Sequence, residues 1–389
     1  MMPKLRFSEF SQEWKKLRLG DYVQSFQKRV SSETNIPIYS SSRQGLKPQA
    51  EYFADRELQN DGEYGVVPYG YITYRHMSDD NTFHFNLNDK LPEIAISKEY
   101  PVFKGKGLDD YFLISKLNYT NEFKAFAIQQ KAGGTRTRLY FKKLCDWHAT
   151  FPVLEEQKKI ASFLSAVDKK INLLNKEHNM LHQYRTGIMQ KIFRQELRFK
   201  DKDGSNFPKW ENKKIGSLLS EYKCKTTLED EWPVMTSSRS GLVLQKEYYR
   251  DNRLTERSNL GFNIIPRGYI TYRSRSDDGL FFFNQNRLNT TGCISVYYPV
   301  FNFEYGDNYF YTIMFNYYKH IFRAYAVGSS QLVLSITDLK KMNFLMPSPN
   351  EQKKISELFL AMESRISANR QEINKLKSWK QGLLQQMFI

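Results

Sequence analysis

Cysteine is scarce in this chain of 389 residues, and the three that it has, Cys145, Cys224 and Cys293, stand far apart. No CxxC pair occurs, which argues against a disulfide framework and against a structural zinc site. No stretch approaches the roughly 18 apolar residues of a membrane-spanning helix, and the N-terminal residues lack the apolar run of a signal peptide. We therefore expect a cytoplasmic chain with no membrane partner.

Catalytic motifs are also missing. The sequence has no GxxxxGK[ST] loop, no NPPF or DPPY tetrapeptide and no convincing nuclease motif. Residues 103–107 fit the FxGxG pattern of an S-adenosylmethionine pocket, but we interpret them as a loop, since the repeated segment at 301–305 reads FNFEY. His178 and His182 stand four apart as zinc ligands can, but Asn179 replaces the glutamate of HExxH. The sequence therefore predicts no catalytic residue, no metal ligand and no cofactor in this chain.

The charge balance is strongly basic. Lysine and arginine total 58 against 42 acidic residues, which leaves a net charge of +16 and a pI near 9.4. Such a chain suits a polyanionic partner, either nucleic acid or an anionic membrane surface, and the absence of apolar runs favours nucleic acid.

The chain contains an internal duplication. The segment SSRQGL at 41–46 returns as SSRSGL at 237–242, and PYGYITYR at 68–75 returns as PRGYITYR at 266–273. EQKKI occurs at both 156–160 and 351–355. Each copy has a globular part, in which short β-branched and aromatic runs alternate with turn residues, and a tail without such punctuation. We predict an α+β fold with two similar mixed α/β domains.

The two tails are predicted to be long helices. Apolar residues follow heptad spacing over about forty residues, which at 1.5 Å per residue gives a length of about 60 Å. Residues 348–351, SPNE, offer a capping box with proline at the first helical position of the second tail.

A narrow apolar seam of this length favours a partner helix, and the other tail is the obvious candidate. The alternative is two surface helices, each packed on its own domain. We predict an antiparallel coiled-coil pair in which facing residue numbers sum to about 547, so that His178 and Asn369 form a central polar layer. The predicted seam consists of Ile160, Leu164, Val167, Ile171, Leu174, His178, Leu181 and Ile188 in the first helix and Ile355, Phe359, Met362, Ile366, Asn369, Ile373, Leu376 and Leu383 in the second.

The ends of the chain fit the same duplication. Leu197-Arg198-Phe199 follows the first helix, and its copy, Leu5-Arg6-Phe7, stands near the beginning of the chain. We therefore predict that the two termini lie close together and that the chain has an approximate two-fold axis through the helix pair.

Repeated arginines beside tyrosines and turn residues are the candidate DNA contacts. Arginine can bind guanine through two hydrogen bonds or clamp a phosphate. The alternative for each is a solvated or acid-paired side chain, with Asp79-Asp80 and Asp277-Asp278 as available acids. The candidate DNA-binding residues are Arg43, Arg75, Arg136 and Arg138 in the first copy and Arg239, Arg273, Arg275 and Gln331 in the second.

This arrangement resembles the specificity subunit of type I restriction-modification systems. The likeness rests on two variable domains, each followed by a long helix that opens with a proline and EQKKI and closes with GIMQKIF or GLLQQMF. It implies two target-recognition domains, 1–151 and 197–346, and two conserved helical regions, 152–196 and 347–389. The conserved helical residues would be Pro152, Gln157, Ile160, Gly187, Gln352, Ile355 and Gly382.

The resemblance also implies partners and excludes chemistry. Each domain would read one half of a bipartite site on double-stranded DNA, in a bacterial or archaeal cytoplasm. The helices would act as spacer and as docking surface for two methyltransferase subunits, with restriction and translocase subunits reached through the complex. S-adenosylmethionine, ATP and magnesium would then belong to those partners. We expect half-sites about one helical turn apart that form imperfect inverted repeats. The alternatives are a stand-alone DNA-binding regulator and a self-sufficient restriction or methylation enzyme.

Overall fold

The computed structural model of the chain describes residues 3–53, 62–130, 136–249 and 258–388. The chain divides into two compact units. Unit 1 comprises Met1–Glu177 with Asn369–Ile389, and unit 2 comprises His178–Ala368.

The first copy contains short strands, since its β-branched and aromatic runs are interrupted by glycine, proline and asparagine. The strands are β1 (Lys15–Arg18), β2 (Val23–Ser25), β3 (Arg29–Ser31), β4 (Tyr39–Ser42), β5 (Gly45–Pro48), β6 (Glu63–Pro68), β7 (Ile72–Tyr74), β8 (Met77–Ser78), β9 (Phe85–Leu87), β10 (Glu93–Ser97), β11 (Val102–Gly105), β12 (Thr137–Arg138) and β13 (His148–Phe151). The helices are α1 (Gln49–Phe53), α2 (Asp110–Tyr119), α3 (Asn121–Gln129), α4 (Phe141–Cys145) and the long α5 (Leu154–Phe193).

The central sheet of unit 1 has the strand order β2-β11-β7-β9, and its neighbouring strands are antiparallel. It is accompanied by a β10-β6-β3 sheet, a β4-β5 hairpin, a β1-β13 pair and a two-stranded β8-β12 ribbon. Ile72, Tyr74 and Phe103 of the central sheet are buried in the hydrophobic core. The Tyr74 hydroxyl satisfies its burial by donating to the Leu139 carbonyl at 2.9 Å.

The second copy repeats this plan. Its strands are β14 (Glu211–Lys214), β15 (Leu219–Glu221), β16 (Met235–Ser238), β17 (Gly241–Leu244), β18 (Asn263–Ile265), β19 (Ile270–Tyr272), β20 (Arg275–Ser276), β21 (Phe283–Gln285), β22 (Gly292–Ile294), β23 (Val300–Phe303), β24 (Leu332–Val333) and β25 (Asn343–Met346). Its helices are α6 (Gln245–Tyr248), α7 (Asn308–Tyr317), α8 (Ile336–Lys341) and the long α9 (Pro349–Met387).

Strand pairing confirms the duplication. The central sheet of unit 2 has the order β15-β23-β19-β21, with a β16-β17 hairpin and a β20-β24 ribbon in the corresponding places. The Tyr272 hydroxyl donates to the Leu334 carbonyl at 3.0 Å, as Tyr74 does to Leu139. One difference follows α7, where a 3₁₀ turn (Ile321–Tyr325) stands in place of α3.

The two long helices pack against each other in antiparallel fashion, as predicted. In unit 1, Ile160 and Leu164 of α5 share a hydrophobic core with Leu383 of α9. In unit 2, Ile192 of α5 shares a core with Ile355 and Phe359 of α9. The N-terminal part of α5 therefore packs with the C-terminal part of α9 in unit 1, and the C-terminal part of α5 packs with the N-terminal part of α9 in unit 2. Of the predicted seam residues, Ile160, Leu164, Val167, Ile171, Leu174, Ile355, Phe359, Asn369, Ile373 and Leu383 are buried, while His178, Leu181, Ile188, Met362, Ile366 and Leu376 are partly buried.

Asn369 is 4% exposed, and its amide donates to the carboxylate of Glu177 at 3.2 Å. A polar contact thus stands close to the predicted midpoint of the seam. The pairing of Asn369 with His178 itself stays a prediction.

The start of the chain continues α9 in the way that residues after Phe193 continue α5. The Leu5 N–H donates to the Gln386 carbonyl at 2.9 Å. The Leu197 N–H donates to the Lys191 carbonyl, the equivalent position, at 3.2 Å. The predicted proximity of the termini is confirmed.

Two local predictions were only partly correct. Residues 103–107 are not all loop: Phe103 belongs to β11 and is fully buried, because its ring packs against Tyr74 and Phe85, while residues 106 and 107 lie beyond the strand. Pro349 is the first residue of α9, as predicted, but the capping box is incomplete. Ser348 Oγ accepts from the Glu351 N–H at 3.4 Å, but the Glu351 carboxylate binds Arg198 instead of the cap.

Candidate nucleic-acid interface

Arg43 stands in the tight turn of the β4-β5 hairpin and is exposed. The turn is fixed from within, because Ser42 Oγ donates to the Gly45 carbonyl at 2.7 Å and Gly45 adopts a φ of 108°. It is also fixed from behind, because the Asn86 amide donates to Ser41 Oγ at 2.8 Å and to the Ser42 carbonyl at 3.0 Å. The hairpin therefore presents Arg43 from a rigid support.

The guanidinium of Arg43 donates to the carboxylate of Asp80 through Nη2. Asp80 is held in turn by the Thr82 hydroxyl at 2.7 Å and the Ser78 hydroxyl at 2.9 Å. Hydrogen bonds from Thr82, Ser78 and Arg43 hold the pKa of Asp80 well below its usual range. Asp80 is therefore an ionised acceptor at neutral pH, and it restricts where the arginine can point.

The neighbouring acid, Asp79, accepts from Nε of Arg136 at 2.7 Å. Arg136 opens the segment that forms β12, while the Gly133-Gly134-Thr135 run before it lies outside the described residues. Both side chains are about half exposed, at 55% for Arg136 and 64% for Asp79. Two arginines distant in sequence are thus brought to one pair of adjacent acids.

A cleft of about 260 Å³ lies beside this cluster in unit 1. Its lining includes Arg43, Arg75, Asp79 and Tyr52. His84 also lines it, and burial lowers the pKa of that imidazole, which favours the neutral ring. The cleft combines exposed cations with an aromatic ring and hydrogen-bonding groups, the side chains that bind nucleic acids.

Unit 2 repeats the hairpin arginine. Nη2 of Arg239 donates to the Asp278 carboxylate at 2.6 Å, and the Ser276 hydroxyl donates to Asp278 at 2.8 Å. Hydrogen bonds, with Ser276 first, lower the pKa of Asp278 to about 2. The Asn284 amide holds the hairpin through Ser237 Oγ and the Ser238 carbonyl, each at 2.8 Å.

The second acid of unit 2 has a different partner. Asp277 accepts from the amide nitrogen of Gln331 at 2.9 Å, where Asp79 accepts from Arg136. The two copies therefore keep the acid and change the residue attached to it.

Each ribbon has one arginine in its paired positions, but the two units carry it on different strands. In unit 1, Arg138 of β12 pairs with Met77 of β8. In unit 2, Arg275 of β20 pairs with Val333 of β24, and its guanidinium carbon lies 4.7 Å from the centre of the Tyr297 ring. Each ribbon keeps one arginine and one apolar residue at the same pair of positions, so these two sequence differences are a single exchange.

The eight predicted DNA-binding residues form two groups. Arg43, Arg136, Arg239 and Gln331 are hydrogen-bonded to aspartates. The other four have exposed side chains and no carboxylate partner within the described parts of the chain, and they are Arg75, Arg138, Arg273 and Arg275.

The EQKKI motif has a role that the sequence did not reveal. Glu156 is fully buried, accepts from Nε and Nη2 of Arg6 at 2.7 Å each, and accepts from Nε1 of Trp14 at 3.4 Å. Gln157 donates to the Pro152 carbonyl at 2.9 Å. The motif therefore fastens the globular part of unit 1 to its helix.

Unit 2 repeats this anchor with Glu351, which accepts from Arg198 at 2.7 Å and from Trp210 at 3.2 Å. Gln352 donates to the Pro347 carbonyl at 3.0 Å. The recurrence of an arginine and a tryptophan ahead of both globular parts could have revealed the anchor.

Ion pairs also cross the helix seam, where the sequence suggested simple gaps. In unit 1, Nζ of Lys380 lies 2.7 Å from both oxygens of Asp168, which also accepts from the Tyr111 hydroxyl. In unit 2, Arg185 lies 3.3 Å from Glu363. Aspartate 168 and Glu363 occupy equivalent positions in the two copies, as do Lys380 and Arg185.

Within the described residues, no helix is both long and apolar enough to span a membrane. Over the same parts of the chain, His, Cys, Asp and Glu side chains form no group of three suited to a metal ion.

Comparisons with known proteins converge on one family. A family model described as the type I restriction modification DNA specificity domain matches residues 11–183 and again residues 208–378. The putative type I restriction enzyme MjaX specificity subunit of Methanocaldococcus jannaschii is 20% identical over 434 residues, covering 98% of this chain and 94% of that protein. The MjaVIII specificity subunit of the same archaeon is 22% identical over 312 residues, covering 72% of this chain and 70% of that protein.

Solved structures share the fold. The S subunit of a type I restriction-modification system from M. genitalium has a TM-score of 0.61 at 14% identity and covers 100% of this chain and 99% of that one. A second solved structure, which addresses complex assembly and conformational transition of the type I R-M system, has a TM-score of 0.51 at 13% identity. It covers 97% of this chain and 98% of that one.

Proposed function

We propose that each globular part of this chain reads one half of a bipartite DNA site, because the chain belongs to the family of type I restriction modification DNA specificity domains. The chain is a non-catalytic DNA-recognition subunit that acts within a complex with other restriction-modification subunits. The observation that carries the proposal is the doubled cluster of arginine and glutamine side chains that donate to paired aspartates, at Asp79-Asp80 and at Asp277-Asp278.

The eight candidate residues, Arg43, Arg75, Arg136, Arg138, Arg239, Arg273, Arg275 and Gln331, are the proposed DNA contacts. A net charge of +16 supplies the attraction to the duplex, and the turns and ribbons supply side chains that reach it. In this proposal, residues 1–151 and 197–346 are the two readers and residues 152–196 and 347–389 are the spacer. The paired helices then set the number of unread base pairs between the half-sites.

The test is to express the full chain with its modification subunits and map methylated bases in a host genome. Two short motifs separated by a fixed number of unspecified bases, resembling imperfect inverted repeats, would support the proposal. One contiguous, asymmetric motif would contradict it.

The proposed docking surface for a modification subunit is an apolar stripe on α5 in unit 2. Met180 and Tyr184 are 67% and 60% exposed, and with Gly187 they follow a helical spacing of four and three on one face. A Cβ built on Gly187 meets no atom within 4 Å, so packing within the described chain does not require the glycine. A glycine inside a helix costs about 0.5–1 kcal/mol relative to alanine, which suits a position where another helix must approach closely.

The docking proposal assigns two modification subunits to the chain, places restriction and translocase subunits beyond them, and leaves S-adenosylmethionine, ATP and magnesium with those partners. We expect Gly187→Leu to weaken co-purification with the modification subunit while the thermal stability of the chain stays unchanged or rises. Thr186→Leu, at an exposed position about 100° around the helix from Gly187, is the matched control. Equal co-purification of both variants would remove the docking assignment.

A further inference from the structure

We propose that the aspartate-bonded side chains are the base readers of this chain, and that Arg136 in unit 1 and Gln331 in unit 2 give the two half-sites different bases at equivalent positions. The hairpin arginines, Arg43 and Arg239, would read guanine in both half-sites. Beside them, Arg136 would read guanine and Gln331 would read adenine. This inference rests on the proposed function and adds the assignment of bases to residues.

The charges separate base reading from phosphate binding. An arginine whose partner is an ionised aspartate forms a nearly neutral pair, and the carboxylate repels a phosphate that approaches it. Both pairs, Arg43 with Asp80 and Arg239 with Asp278, contain an acid whose pKa is lowered, so the acid is charged at neutral pH. The exposed arginines without a carboxylate partner in the described chain keep their full charge and suit phosphates instead.

The bonded nitrogens leave a defined set of groups for DNA. Arg136 binds Asp79 through Nε, which leaves Nη1 and Nη2, and these are two donors for O6 and N7 of guanine. Arg43 and Arg239 each use one hydrogen of Nη2 on an aspartate, which leaves Nη1 and the second Nη2 hydrogen as a donor pair.

Gln331 presents a different pair. Its amide nitrogen uses one hydrogen on Asp277, which leaves one N–H donor and the carbonyl acceptor. Adenine offers N7 as an acceptor and N6 as a donor in the major groove, so the free groups of Gln331 are complementary to adenine.

The readers are positioned before DNA arrives. Each hairpin turn is held by a buried or partly buried asparagine amide, Asn86 or Asn284, and the acids of the hairpin arginines, Asp80 and Asp278, are held by neighbouring hydroxyl or N–H donors. Arg136 and Gln331 are oriented by their own hydrogen bonds to Asp79 and Asp277. A side chain fixed in this way loses little rotamer entropy when it meets a base edge, which favours discrimination. The bipartite site would therefore contain guanine at one equivalent position of both half-sites, and guanine opposed to adenine at another.

The experiment selects bound sequences from a randomised duplex library with the full chain in complex with its modification subunits. Arg136→Gln is expected to change one preferred base of the first half-site from guanine to adenine and to leave the second half-site unchanged. Gln331→Arg is expected to change adenine to guanine in the second half-site alone. Each exchange should alter the preference between the two bases by roughly ten- to one-hundredfold. Each of these two variants tests the idea independently of the other.

Asp80→Asn tests the role of the acid. It removes a negative charge, so we expect unchanged or tighter binding to a duplex without the site, together with loss of preference at the base read by Arg43. Asp146→Asn breaks an exposed pair with Arg18 elsewhere in unit 1, removes the same charge and is the matched control, with no change of motif. Thermal unfolding of each variant shows that the fold is retained.

Three results would overturn the inference. The wild-type motif could lack guanine in either half-site. Arg136→Gln and Gln331→Arg could weaken all sequences equally with the motif unchanged, which identifies phosphate contacts and leaves the proposed function intact. A wild-type complex that selects no bipartite motif would remove the proposed function as well.

Discussion

The anchor between the globular part of unit 1 and α5 gives a quantitative prediction. Arg6→Met removes the two charge-assisted hydrogen bonds that Arg6 donates to Glu156 at 2.7 Å, while the carboxylate stays fully buried. Trp14 alone among its described partners then faces the charge, from 3.4 Å. Breaking a buried ion pair on one side costs about 3–5 kcal/mol, because the remaining charge is left without compensation.

The expected loss lowers the melting temperature of unit 1, which contains about 200 residues, by about 10 °C, at 2–4 °C per kcal/mol for a domain of this size. Differential scanning calorimetry and hydrogen exchange in β1 and β13 measure it. The equivalent Arg198→Met should cost less, because the Arg198 side chain is 25% exposed against 11% for Arg6, and water can then reach Glu351 more easily.

The double variant Arg6→Met with Glu156→Gln separates charge burial from lost packing. A neutral amide can still accept from Trp14, so we expect it to recover at least half of the loss. A single-variant loss below about 1 kcal/mol, or no recovery in the double variant, would refute the argument that a buried charge controls the anchor.

Two further predictions concern partly buried acids. Burial raises the pKa of Asp110 to about 6, so the stability gained from its neutral form is complete below pH 4 and is lost as the pH rises through 6. Asp110→Asn copies Asn308 at the equivalent position of unit 2. It should therefore raise the free energy of unfolding by about 1–2 kcal/mol at pH 8, allowing for partial exposure, and give no gain at pH 3.5. Urea unfolding at both pH values checks this, and equal effects at both would contradict it. Asp168→Asn leaves the Lys380 side chain, which is 14% exposed, without its ion pair. It should lower the free energy of unfolding by about 1–3 kcal/mol and speed hydrogen exchange in α9. Recovery of stability on adding Lys380→Met checks the cause, and unchanged exchange would contradict the prediction.

Spacing predicted the scaffold well because helix periodicity is a local property of the sequence. Heptad positions such as Ile160 and Leu383 lie in the helix seam because side chains three and four apart share one face. The nearly constant offset between the copies predicted one duplicated domain, and the two central sheets do share one strand order. Both inferences use relations that are visible along the chain.

Partner choice was less accessible, because it depends on residues brought together by the fold. Arg136 is separated from Asp79 by 57 positions, and Arg6 from Glu156 by 150. The sequence left the arginines open between DNA and acids, and the structure shows four of the eight candidate side chains bound to acids. Lys380 occupied a gap in the apolar pattern, and its partner, Asp168, could be found only once the antiparallel register was known.

Two differences between the copies fall among the candidate DNA contacts, at Arg136 against Gln331 and at Arg138 against Val333. The anchor residues Glu156 and Glu351 and the hairpin acids Asp80 and Asp278 are unchanged in kind and in partner. In the ribbons, by contrast, the arginine changes strand: it is Arg138 on β12 in unit 1 and Arg275 on β20, the counterpart of β8, in unit 2. Residues facing each other across an antiparallel ribbon are separated by about 4.5–5.5 Å, which exceeds the ~3.4 Å rise of one base pair. This exchange keeps the charge of the ribbon and places it on the facing strand. In the proposed function, a ribbon lying with its strand-to-strand direction along the duplex would therefore bring its arginine to a different base step in each unit.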